Sequence, residues 1–87
     1  MDMFNALKLR IIRAAERYGT PASTHESFGV ISEEYAELME AVHNNDRRAV
    51  QHEALDIAAA AMRLAMACEW PEDDAGRLFY HRSGFRE

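Results

Sequence analysis

An all-α fold, an antiparallel helical bundle of three long helices plus a short C-terminal helix, follows from three observations. Apolar residues recur at three- and four-residue steps, caps and helix breakers punctuate them at helical intervals, and the 48% hydrophobic and 29% charged content is that of a folded chain rather than a disordered one. At 87 residues the chain is expected to form a single domain, residues 1–87. So short a chain buries a modest share of its surface, and its apolar stock is rich in Ala and Met. Completion of the core by homo-oligomerisation, as a homodimer or homotetramer, is therefore expected.

The elements follow in order. Phe4, Leu7, Ile11, Ala14 or Ala15, and Tyr18 mark a first helix over 3–18, ended by Gly19-Thr20-Pro21. Ser23 and Thr24 offer caps for a second helix that begins near residue 24 and runs to about His43, with Glu26 placed to complete a capping box with Ser23. Its apolar stripe reads Phe28, Ile31, Tyr35, Leu38 and Val42; Glu26, Glu33, Glu37 and Glu40 project oppositely, and Glu34 sits at the border. Asn44, Asn45 and Asp46 make a turn and a cap, and residues 46–69 read as one helix about 36 Å long. That helix is apolar on nearly all sides after residue 56, which predicts the central position, and Trp70-Pro71 stops it. Glu72-Asp73-Asp74 before Arg77 and Arg82 suits the dipole of a short fourth helix.

Charge and composition exclude several classes of partner. A net charge of -5 opposes a nucleic-acid polymer, which is gripped by basic stripes. The longest nearly apolar run, Ile57 to Cys68, is interrupted by Arg63 and falls short of the roughly 20 residues that cross a bilayer, so no membrane partner is expected. A lone cysteine and an amino terminus without a basic, then apolar, leader predict a cytoplasmic protein.

The chemistry is concentrated in two acidic pairs, Glu34-x-x-Glu37 and Glu53-x-x-Asp56, on either side of the Asn44-Asn45 turn. In an antiparallel hairpin Glu37 and Glu53 lie about 11 and 13 Å from the turn, and Glu34 and Asp56 about 16 and 17 Å, so the acids meet at two matching levels. Glu53 points into the middle of a face made by Ala49, Val50, Ile57, Ala60 and Leu64, where an apolar residue belongs. A carboxylate taken out of water needs a compensating cation, and no Lys or Arg stands one turn away on that face. The residues thus predict a hard divalent ion, most simply Mg²⁺, with Mn²⁺ as an alternative. Taken alone, an acidic run on a helix is more simply a solvated face; Glu53 is what shifts the balance.

At these residues the chain resembles a known family. The segment from His25 to Leu38, with Glu33-Glu34-x-x-Glu37, followed by Glu53-Ala54-Leu55-Asp56-Ile57-Ala58, is similar to the EExxE and ExxD motifs of the MazG-like, all-α nucleoside triphosphate pyrophosphohydrolases. The resemblance covers about residues 25–64. It implies a Mg²⁺-dependent enzyme that hydrolyses nucleoside triphosphates to the monophosphate and pyrophosphate and so cleans the nucleotide pool. Glu34, Glu37, Glu53 and Asp56 would be the metal ligands, and Glu33 a further ligand or the base that positions water. One departure is that no dense Lys/Arg segment follows ExxD to grip a triphosphate. Arg63 and His25 are the candidate substrate contacts, Arg63 being equally well placed for a salt bridge; Lys8, Arg10, Arg77 and Arg82 are further basic candidates. The alternatives are a non-catalytic helical dimer whose acidic face binds a basic partner and, from the single Glu40-x-x-His43, a di-iron protein, which needs two such motifs.

Overall fold

The computed structural model describes residues 2–68, which form three α-helices: α1 (Met3–Tyr18), α2 (Thr24–His43) and α3 (Arg47–Cys68). Among these residues there is no strand, and the bounds of α1 and α2 and the start of α3 follow the sequence expectation to within one residue. The short fourth helix, Trp70, Arg77 and Arg82 lie outside the described residues. No described helix is long and apolar enough to cross a membrane.

Local chemistry sets each boundary. Asp2 caps α1 by accepting from the Phe4 amide at 2.9 Å, and Gly19 ends it at a positive φ of 71°, a conformation that favours a residue without Cβ. Ser23 caps α2 by accepting from the Glu26 amide at 3.0 Å. The Glu26 carboxylate reaches back to the Ala22 amide at 2.8 Å, one residue earlier than a capping box with Ser23 requires. Asn45 turns the chain through φ 55°, and Asp46 then accepts from the Ala49 amide at the start of α3.

The central position of α3 is as the sequence predicts: it packs against both α1 and α2, which among the described residues do not pack on each other. Residues 3, 10 and 19 of the first segment meet 51, 52 and 56, and 63, so α1 runs parallel to α3. The tight turn at 44–46 returns α3 against α2 in the antiparallel sense.

Which faces turn inward differs from the sequence reading. On α2 the covered stripe is Ser27, Ile31, Glu34, Leu38 and Ala41, whereas Phe28, Tyr35 and Val42 are 67%, 61% and 52% exposed. The helix is rotated about 60° from the apolar-inward position, with Ile31 and Leu38 common to both stripes, which carries Glu34 from the border to the middle of the inner face. On α1 the half-buried residues are Leu7, Arg10, Ile11 and Ala14, while Phe4 and Tyr18 are exposed. The buried apolar residues among those described are four alanines, Ala6, Ala41, Ala59 and Ala67. Such small side chains bring the helices close but remove little apolar area from water.

Candidate functional site

Two elements build the acidic cluster. Glu34 sits on the inner stripe of α2, and Glu53 sits half-buried on α3 among Ala49, Val50, Ile57, Ala60 and Leu64, all likewise half-buried. The donor atoms of Glu34, Glu37 and Glu53 lie within 4.8 Å of one another, and so do those of His52, Glu53 and Asp56. The four acids singled out from the sequence are therefore brought together as two overlapping groups that share Glu53, rather than as one four-cornered locus. Glu33 is exposed beside them.

The electrostatics of this arrangement are unfavourable for an isolated chain. Burial is the largest cause that raises the Glu34 pKa from 4.5 to about 7, followed by the charges of Asp56, Glu37 and Glu53. Burial, then Glu37, also raise Glu53, partly offset by His52. Glu34 Oε2 and Glu53 Oε1 are buried and accept no hydrogen bond from the described residues. A buried carboxylate oxygen without a donor costs about 1–3 kcal/mol or more, so these two atoms mark a place where a cation would be stabilising.

Asp56 has a different environment. Arg10 of α1 donates from Nε to Asp56 Oδ1 at 2.8 Å, and its Nη2 lies 2.8 Å from His52 Nδ1. A guanidinium only donates, so His52 Nδ1 accepts and the imidazole proton sits on Nε2, which faces Asp56 Oδ2 at 3.3 Å. Arg10, His52 and Asp56 thus close a ring of polar contacts. Reading α3 alone for a compensating charge misses Arg10, because its partner is 46 residues away. One of the four carboxylates is neutralised in this way, while Glu34 and Glu53 are not.

Next to the cluster lies a groove of about 680 Å³. Its floor is α3, with Asp56, Ala59, Ala60 and Arg63; α1 and α2, held apart, form its walls. The alanines give it depth. Glu34 and Asp56 belong to both cluster and groove, and Glu33 lines the groove. The α1 wall presents Arg10, Arg13 and Arg17, which at steps of three and four residues fall within about 60° of one another on the helix. The basic stripe thus lies on α1, ahead of ExxD in the sequence rather than after it. The regular spacing of the three arginines was the signal available for it.

The remaining candidates are placed unequally. Arg63 lines the groove and donates from Nη2 to the Gly19 carbonyl, tying α3 to the end of α1 rather than forming a salt bridge. His25 is exposed and does not line the groove. Lys8 is exposed on α1, and Cys68 is a half-buried free thiol. Comparison of the chain with models of protein families, with curated proteins and with solved structures gives no match.

Proposed function

We propose that the protein is a divalent-metal-dependent nucleoside triphosphate pyrophosphohydrolase that releases the nucleoside monophosphate and pyrophosphate. One observation carries the reading: two buried carboxylate oxygens from different helices, Glu34 Oε2 and Glu53 Oε1, lack a donor at the end of a groove walled by arginines. The resemblance of the Glu33-Glu34-x-x-Glu37 and Glu53-x-x-Asp56 segments to the MazG-like enzymes supports the same chemistry.

The donor set suits Mg²⁺ or Mn²⁺, since hard cations take carboxylate oxygens and the buried pair is otherwise uncompensated. Glu34, Glu37 and Glu53 would hold the ion, with Asp56 joining through the group it forms with Glu53. When bound, such an ion neutralises charge on phosphate oxygens and lowers the pKa of a coordinated water. In the hydrolysis, a water oxygen bonds to the α-phosphorus as that phosphorus parts from the bridging oxygen, which leaves with the electron pair as pyrophosphate. Glu33, exposed at the groove edge, is assigned to take the water proton. Arg13, Arg17 and Arg63 are assigned to the phosphate chain, where guanidinium forks match its oxygens.

The same reading includes self-association. Phe28, Tyr35, Met39 and Val42 form one apolar strip along α2, each 48–67% exposed, and a second copy of the chain is the proposed occupant.

The test is pyrophosphate release from canonical and modified nucleoside triphosphates with Mg²⁺. Turnover that requires metal and is lost in Glu53→Gln, with helicity retained, is the expected result. Absence of turnover on the whole panel, together with no thermal response to metal, would reject the enzyme and leave an acidic interaction module.

A further inference from the structure

Arg10 is the residue at which the acidic cluster and the basic wall meet. It lines the groove with Arg13 and Arg17, yet its Nε and Nη2 are committed to Asp56 and His52. Among the described residues no carboxylate pairs with Arg13 or Arg17, although the Arg17 guanidinium lies 5.3 Å from the Tyr18 ring centroid. The Arg10 and Asp56 side chains are 27% and 31% exposed, so the pair is open enough for its partners to change.

We propose that Arg10 is an exchangeable counter-charge: it competes with a divalent ion for Asp56 and, once displaced, joins Arg13 and Arg17 in holding a linear polyphosphate along α1. The inference rests on the metal reading of the acidic cluster and adds a coupling to it. A guanidinium and a divalent cation cannot both lie against the same carboxylate without repelling each other, so ion entry favours the departure of Arg10. The departing group has a groove to enter, because α1 already directs it to the wall it shares with Arg13 and Arg17. Ion and polyphosphate are then positively coupled, and each must tighten the other by the same factor.

The experiment titrates Mn²⁺ alone by calorimetry into wild type, Arg10→Gln and Arg13→Gln, and then inorganic pyrophosphate with and without Mn²⁺. Arg10→Gln is expected to bind Mn²⁺ about fivefold more tightly, the upper end for a partly exposed ion pair, while Arg13→Gln leaves Mn²⁺ affinity unchanged. In the presence of Mn²⁺ both variants are expected to bind pyrophosphate at least about tenfold more weakly, the loss of a charged hydrogen bond. Arg10→Met, with an unbranched stem, serves should the glutamine variant fail to fold. If wild type binds Mn²⁺ and neither Arg10 variant binds it more tightly, the exchange is overturned and the metal site stands. If wild type binds no Mn²⁺, the metal site itself is rejected and the exchange with it.

Discussion

Replacing Glu34 by Gln should stabilise this protein above neutral pH even though it removes a proposed metal ligand. The Glu34 carboxyl titrates at about 7 in the folded chain against 4.5 ordinarily, chiefly through burial and the charge of Asp56. Between those values the folded state holds a proton that the unfolded state has lost, so stability falls as pH rises through this window and stays low above it. At about 1.4 kcal/mol per pH unit the ceiling is about 3.4 kcal/mol, and solvent screening of this partly exposed group reduces it to about 1–2 kcal/mol. Glutamine cannot ionise. At 4–8 °C per kcal/mol for a domain of this size, the variant should melt about 4–16 °C higher than wild type near pH 8 and almost level with it near pH 4.5. The assay is thermal unfolding by circular dichroism, with chelator present and protein concentration fixed, because the proposed self-association would make the midpoint concentration-dependent. Equal melting near pH 8, or the same advantage at both pH values, would refute the burial and charge argument for Glu34.

Three further outcomes follow from the same geometry. Mg²⁺ at about a hundredfold excess over its Kd should stabilise wild type by about 2.7 kcal/mol, and calorimetric scanning should show the gain absent from Glu34→Gln and Glu53→Gln. Gly19→Ala meets nothing within 4 Å but must hold φ 71° and ψ -160°, a region almost confined to glycine, so it should cost about 1–3 kcal/mol in chemical denaturation through backbone strain alone. Met39→Glu places a charge in the exposed apolar strip of α2; sedimentation velocity should show a smaller species than wild type, and an unchanged sedimentation coefficient would remove that strip as the interface.

The helices were legible in the sequence because their signals are local. Ser23, Gly19 and the Asn44-Asn45-Asp46 turn act within a few residues of themselves, and the structure uses each as a boundary. The meeting of Glu34 and Glu37 with Glu53 and Asp56 was legible too, since a three-residue turn fixes the register of an antiparallel pair. Arg10 was legible only as one of several basic residues, because its role depends on how α1 lies along α3, and no local pattern sets that. The inner face of α2 was misjudged for a related reason. Counting apolar residues assigns Phe28, Tyr35 and Val42 to the core, but the count alone does not say whether an apolar stripe packs within the chain, and all three are exposed.

That rotation of α2 carries an energetic implication. Turning α2 by about 60° would bring Phe28, Met39 and Val42 toward α3, at about 1.5–3 kcal/mol for complete burial of each. At their exposures of 67%, 48% and 52%, the observed orientation forgoes about 3–5 kcal/mol. It also keeps Glu34 inward, where the charge costs about 1–2 kcal/mol more above neutral pH. A single chain selected for stability alone would relieve both by the same rotation. The proposed second copy covering the strip would recover the first amount, and the proposed cation among Glu34, Glu37 and Glu53 the second. Local rules that fail together on one helix are the pattern expected of a functional surface, and here a single rotation accounts for both failures.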